Sequence, residues 1–383
     1  MTFTSNRTIP AIAATAIMYL SGVVLVSGQA GPSGQGARPQ LAEEVFKNVQ
    51  ILKGVPVDEF MDTMGMFAAA LSLNCVDCHT PESVGTWDKF AEETSLKRTA
   101  RRMMTMVNAL NKENFGGRKV VTCYTCHRGD TRPKFVPNLA AQYAEHVEDP
   151  NEIIINPVPG GPTVDQVFDR FIQATGGSQR WAGVTGFAAK GTFIGFETEQ
   201  SKVTVDVLAK APAQRAVIVH TRLGDSVRVF DGTAGWIASP DRPVSLLPLT
   251  GGNLEGAKID ALLSFPTQIK AAFAQWRITA TAIDDKEVRV LQGTNPRQAP
   301  VNFYFDEAGL LIRVLRFVDT AVGRVPTQTD FSDYRDASGV KLPHRWVTTW
   351  TNGQATTELT EVRINAPIDA ARLARPAPAP RPQ

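Results

Sequence analysis

The sequence predicts an α + β multidomain chain: a mainly α-helical segment, then an antiparallel β-sheet wrapping one or two helices. Three observations predict it. Apolar residues recur at helical spacing before residue 126 and at period two after Thr163. A Pro/Gly run, Asn156-Pro157-Val158-Pro159-Gly160-Gly161-Pro162, separates the two textures. Sulfur stops at Cys126: the four cysteines are Cys75, Cys78, Cys123 and Cys126, and six of the eight methionines lie between Met61 and Met106.

The chain has 383 residues, a formal charge of +2, 43% hydrophobic and 20% charged residues. These values exclude a disordered, collagen-like or polytopic membrane protein, and the near-neutral charge gives no reason to expect a nucleic-acid partner. Arg7, the apolar run from Ile9 to Val26 and Ser27-Gly28-Gln29-Ala30 make residues 1–30 a signal peptide or an N-terminal anchor, with cleavage expected after Ala30. No cysteine near this segment could carry a lipid. Residues 31–39 are a linker, 40–147 the first domain, 148–162 the Pro/Gly linker, 163–368 the second domain and 369–383 an extended Pro-rich tail.

In the first domain, Cys75-Val76-Asp77-Cys78-His79 and Cys123-Tyr124-Thr125-Cys126-His127 are both C-x-x-C-H, the attachment pattern of c-type haem. The two thiols can form thioethers to the vinyl groups, and His79 and His127 can give the proximal nitrogens to iron. A single zinc ion on four cysteines, or a redox dithiol, would leave the histidine after each pair without a reason. The expected cofactors are therefore two covalently bound haem c groups, which would turn the formal +2 slightly negative through their propionates. Each motif follows an amphipathic helix bearing methionines. In the first, Val57, Phe60, Met61, Met64, Phe67, Ala68 and Leu71 form the stripe, Pro56 suits the first turn, and Met66 should point away from Met64. In the second, Leu96, Ala100, Met103, Val107 and Leu110 form it, with Ser95 as the cap and Met104 and Met106 on the flanks. A distal methionine leaves no open iron site and raises the potential, as a carrier requires. The pattern alone leaves Met61 and Met64 open for the first iron, and Met103, Met104 and Met106 for the second; His146 is a remote distal candidate. Arg101, Arg102, Arg118, Lys119 and Arg128 are candidate propionate partners.

The stretch from Asn48 to Pro133 resembles the cytochrome c subunit of photosynthetic reaction centres. The residues that carry the likeness are Asn48-Val49-Gln50-Ile51-Leu52-Lys53, Val57-Asp58-Glu59-Phe60, Ala100-Arg101-Arg102-Met103 and Thr122-Cys123-Tyr124-Thr125-Cys126-His127-Arg128-Gly129. The resemblance implies that the helix before each motif supplies the distal methionine. This picks Met64 for the first haem and Met103 for the second, with Met61 the second choice for the first. It also implies that a local pseudo-twofold places the two haems close together. The family normally carries four haems in two pairs, and often an extra histidine ligand; this chain has one pair of motifs and no histidine between Lys112 and Val121.

In the second domain, Thr163-Val164-Asp165-Gln166 is a capping box opening a helix on Val164, Val167, Phe168, Phe171 and Ile172, which Gly176 ends. Strand patterns run through Val203–Val207, Val227–Val229, Val288–Val290 and Val301–Phe305, with turns at Asp231-Gly232, Asp306 to Gly309 and Asn352-Gly353. A helical insertion is expected over Leu254 to Ala274, within a sheet of about nine to eleven strands by strand periodicity. This pattern, with Phe331-Ser332-Asp333-Tyr334-Arg335 and Gly339-Val340-Lys341-Leu342-Pro343, is similar to LolA-type lipoprotein-carrier half-barrels. That resemblance implies an apolar ligand or partner segment in the sheet's concavity, which Trp181, Trp236, Trp276, Trp346 and Trp350 could line. His220 and His344 stand alone in strand patterns, as structural histidines do.

The expected function is electron transfer by an exported dihaem cytochrome, periplasmic or on the outer face of the cytoplasmic membrane. It would be a carrier and no enzyme. The expected partners are redox proteins, such as a membrane-bound reaction centre or respiratory complex. A dihaem peroxidase, or a lipid carrier with sensing haems, are the alternatives.

Overall fold

The computed structural model describes residues 38–84, 86–144, 151 and 160–380, and the described residues from Arg38 onward form one compact unit. Residues 1–30, His146 and most of the Pro/Gly run lie outside the described residues. Among the described residues no helix is long and apolar enough to cross a membrane.

The helical segment is built from α1 (Val57–Leu71), α2 (Cys75–Cys78), α3 (Ser95–Phe115) and α4 (Cys123–His127). Ser72 in the left-handed region ends α1, and Gly116 ends α3. The cap of α3 is Thr94 and not Ser95: the Thr94 hydroxyl accepts from the Lys97 amide at 3.2 Å. After the break come α5 (Val164–Ala174), opened by the Thr163/Gln166 capping box, and α6 (Gly251–Leu262), which overlaps the first part of the expected insertion; short 3-10 turns at Pro266–Gln268 and Lys270–Ala272 follow.

The sheet has thirteen strands, all antiparallel. They are β1 (Gly186–Gly195), β2 (Val203–Lys210), β3 (Gln214–Thr221), β4 (Gly224–Phe230), β5 (Gly235–Ala238), β6 (Leu247–Pro248), β7 (Gln275–Ile283), β8 (Lys286–Thr294), β9 (Val301–Phe305), β10 (Leu311–Thr320), β11 (Gly323–Ala337), β12 (Val340–Trp350) and β13 (Gly353–Ile364). The count exceeds the nine to eleven expected, because strands as short as β5 and β6 carry too few residues to show a period. The spatial order is β6-β5-β4-β3-β2-β1-β13-β12-β11-β10-β9-β8-β7. Two hairpin-connected runs are therefore joined in the middle by β1 and β13. The three expected turns fall between β4 and β5, β9 and β10, and β12 and β13.

The two segments meet along α1, and the buried face differs from the expected one. The stripe with Phe60, Met61, Met64 and Phe67 is only half-buried, whereas Val57, Asp58, Thr63, Gly65, Met66 and Ala70 are buried. Met66 is buried in a cluster with Val318, Val322 and Val325 of the β10–β11 hairpin, and the half-buried Met64 packs against the same cluster. Gly65 lets α1 come close to the β12–β13 turn as well: a Cβ there would meet the Thr351 hydroxyl at 2.6 Å. Asp58 accepts from the Thr250 amide at 2.6 Å and the Thr250 hydroxyl at 2.7 Å, which places a carboxylate at the N-terminus of α6. Burial raises the Asp58 pKa against these bonds. Replacing Asp58 with alanine leaves a buried amide without an acceptor. Urea unfolding should show a loss of about 2 kcal/mol.

Candidate haem-attachment site

Each C-x-x-C-H sits on a single helical turn set by its preceding residue. Asn74 Oδ1 accepts from the amides of Val76 (3.0 Å) and Asp77 (3.3 Å), and Asp77 Oδ2 accepts from the Asn74 amide at 2.8 Å. Thr122 and Thr125 exchange the equivalent pair at 3.3 and 3.0 Å. These boxes start each turn at the first cysteine. The second cysteine and the histidine then follow at i+3 and i+4, on the same side. The capping signal was present in the sequence, as Asn74-x-x-Asp77 and Thr122-x-x-Thr125.

Both histidines are oriented in the same way. His79 Nδ1 donates to the Phe90 carbonyl at 3.0 Å, and His127 Nδ1 donates to the Asp130 carbonyl at 2.9 Å. In each ring this leaves Nε2 as the unprotonated nitrogen, the arrangement of a metal-ligating imidazole whose other nitrogen is held by a carbonyl. Burial, and next the charge of Lys97, push the His79 pKa down, against the hydrogen bond to Phe90. Phe90 also packs on His79, with ring centroids 4.7 Å apart.

The surroundings fit a large apolar group. On α3, Leu96 (45% exposed), Met103 (38%), Met106 (50%) and Leu110 (36%) lie open, while Met104, Val107 and Asn111 are buried. The expected stripe of α3 is therefore mostly uncovered by protein, and Met104 is the packing methionine. On α1, Phe60, Met64 and Phe67 are half-buried and pack against the cluster that holds Met66 and Met104. All four thiols are free, and they remain two separate pairs: among the described residues no group of three or more His, Cys, Asp or Glu is placed to hold a metal ion.

The structure brings some predicted residues together and others not. The second motif leans on α1: the Gly129 amide donates to Ala70 at 3.0 Å, and Cys123 shares a cluster with Met64, Phe67 and Met104. The first motif is tied to the start of α3, where the Thr94 hydroxyl donates to the Cys78 carbonyl at 2.7 Å. Arg101 is already engaged by Glu93 at 2.7 Å, whereas Arg102 is exposed and, among the described residues, donates to the Thr99 hydroxyl at 3.3 Å. Lys119 donates to the Thr320 carbonyl on the sheet. Asn111 was not anticipated. Its buried amide donates to the Val121 carbonyl (2.7 Å) and accepts from the Val120 and Val121 amides (3.1 and 3.0 Å), fixing the approach to the second motif. Asn111→Ala strands these groups. It should cost about 2–3 kcal/mol in thermal or urea unfolding and speed hydrogen exchange at Val120 and Val121.

Residues 26–152 match the family model of the photosynthetic reaction centre cytochrome C subunit. Over 108 residues the chain is 37% identical to the photosynthetic reaction center cytochrome c subunit of Thermochromatium tepidum, covering 27% of this chain and 25% of that protein. The corresponding subunit of Rubrivivax gelatinosus is 34% identical over 109 residues, 27% of this chain and 28% of that one. The chain thus spans about a quarter of the length of the curated relatives it matches. Residues 262–361 match a family of unknown function, DUF6544. Among solved structures, a LolA superfamily protein from Nitrosomonas europaea aligns at 12% identity and a TM-score of 0.37, covering 54% of this chain and 96% of that one. A DUF1329 family protein from Desulfovibrio piger aligns at 8% and 0.39, covering 56% and 98%. The sheet described above stands on its own strand pairings. The reaction-centre-cytochrome-like segment holds both attachment motifs, α1 and α3.

A second hollow lies under the sheet. It is a cavity of about 420 Å³ between one sheet face, α6 and the Val57, Asp58, Met61 and Asp62 side of α1. Of the tryptophans expected there, Trp346 and Trp350 line it; Trp181 and Trp276 pack in the core clusters, and Trp87 of the helical segment joins the lining. His220 is held by Asp225 at 2.8 Å and His344 is buried against its own strand, as structural histidines.

Proposed function

We propose that the chain is a dihaem c-type cytochrome that carries electrons between redox partners outside the cytoplasm, a membrane-bound photosynthetic reaction centre or respiratory complex among them. The observation that carries this reading is the pair of capped C-x-x-C-H turns in which each histidine has Nδ1 on a backbone carbonyl and Nε2 left over. Bound haem supplies reversible one-electron chemistry at iron. Cys75 with Cys78, and Cys123 with Cys126, anchor the two groups; His79 and His127 give the proximal nitrogens. Met64 and Met103 give the distal sulfurs, with Met61 the second choice for the first. Arg102 is the better placed of the two arginines to meet a propionate, because Glu93 occupies Arg101. A carrier rather than an enzyme follows from two filled axial positions. Residues 40–147 form the cytochrome part and 163–368 a sheet part, whose cavity we infer to hold an apolar ligand on walls such as Phe187, Phe193, Val207 and Val217.

The test is direct. The protein, produced with its N-terminal segment in a host that matures c-type cytochromes, should run as a haem-staining band under denaturing conditions. Its reduced-minus-oxidised spectrum should show a sharp haem c α-band. A chain with four titratable thiols and no such band sinks the reading.

A further inference from the structure

The cavity has an apolar wall, a polar margin and a sector where three arginines gather. Arg215 on β3 and Arg228 on β4 face the same side, since Arg215 pairs with Phe230 and Arg228 with Val217, and all four line the cavity. Arg316 on β10 joins them; it is 9% exposed, and its Nη1 is buried without a hydrogen-bond partner. Gly256 of α6 makes its place, because a Cβ there would meet that Nη1 at 2.4 Å. Five carboxylates also line the cavity, but most are engaged. Glu197 pairs with Arg242 at 3.1 Å, and Asp58, Asp62 and Asp241 accept from Thr250, Asn253 and Ser239. Asp260 faces Arg215 and Arg228, and Asp62 lies near Arg228 and Arg316, so three guanidiniums share two carboxylates there. Among the described residues none of Arg215, Arg228 and Arg316 has an ion-pair partner within 4.0 Å. Guanidinium groups do not shed their protons, so an unpaired one in a hollow is costly unless an anion meets it. Arg228 is deep among protein atoms, and that burial lowers its pKa; yet its side chain is open to solvent, because it opens onto the hollow.

We propose that the cavity binds an anionic amphiphile, a single acyl-type chain along the apolar wall with its carboxylate or phosphate head among Arg228, Arg316 and Arg215. This rests on the reading that the cavity holds an apolar ligand, and it adds the head-group chemistry. Planar guanidinium forks match carboxylate and phosphate oxygens two at a time. A cavity of about 420 Å³ lies within the range of small-molecule sites.

The experiment titrates the haem-loaded full chain with oleate, with its uncharged methyl ester and with oleoyl lysophosphatidic acid, following tryptophan fluorescence and calorimetry. The anionic probes should bind at least about tenfold tighter than the ester. The tighter of the two anions identifies carboxylate or phosphate as the preferred head. Arg228→Gln should weaken both anions by about the same factor and leave the ester and the haem spectrum unchanged. Arg316→Gln should do likewise, and Arg228→Gln, at a solvent-accessible position, keeps the test valid should the buried replacement unfold. Equal binding of all three probes, insensitive to Arg228→Gln, overturns the anion site while leaving the apolar cavity standing. Absence of binding by every probe overturns both.

Discussion

Replacing Cys123 and Cys126 together with serine should halve the covalent haem content, leaving one group per chain on Cys75 and Cys78. Pyridine haemochrome absorbance per polypeptide and the intact mass read the change without any partner protein. The reciprocal pair, Cys75 and Cys78, should leave the group on the second motif. The two losses should differ in their effect on stability. The second motif is built into the junction, where Cys123 packs with Met64 and Met104 and the Gly129 amide closes on Ala70. The first motif is held chiefly by the start of α3 through the Cys78 carbonyl and by Phe90. Loss of the second group should therefore lower the unfolding midpoint more. Two groups retained in either double variant would mean that the thiols are not the anchors.

Met64→Ala and Met103→Ala should each lower the potential of one haem and open that iron to carbon monoxide. Axial ligands move haem potentials over a range of about 0.8 V, so loss of a thioether should be worth on the order of 100 mV downward. The comparison is informative because Met64 lies in the same cluster as Cys123 of the second motif. Made in a chain that keeps only Cys75 and Cys78, Met64→Ala should still shift the remaining haem when α1 serves the first iron. A shift seen only in the chain that keeps Cys123 and Cys126 would assign Met64 to the second iron instead. Met104→Ala, at a packing position, should lower stability with little change in either potential.

Local features were readable before the fold was known, because their causes lie within a few residues. The two motifs, the Thr163/Gln166 capping box and the turns at Asp231, Asp306 and Asn352 all belong to this class. The face of α1 that is buried was not readable. The periodicity of Phe60, Met64 and Phe67 marks an apolar stripe but does not say what covers it. The neighbours of Met66 are Val318, Val322 and Val325, some 250 positions away in the chain. The acceptor roles of Asp58 and Asp62 depend on Thr250 and Asn253, far along the chain. The arginine sector was invisible for the same reason: β3, β4 and β10 come together only through the sheet. The pairing of β1 with β13 likewise follows from closure and not from any local pattern.

That separation along the chain sets an order in time. Translation runs at about 5–20 residues per second, so α1 is made about 10–50 s before the hairpin that buries its Met66 side. The central strand β1 in turn waits for β13, the last strand of the sheet. During that interval Cys75, Cys78, Cys123 and Cys126 belong to a segment without its supporting wall. The late hairpin afterwards docks against the turn that begins at Thr122, where Gly323 comes so close that a Cβ would meet the Thr122 methyl at 2.7 Å. The final strands thus act as a latch on the segment that holds both C-x-x-C-H turns.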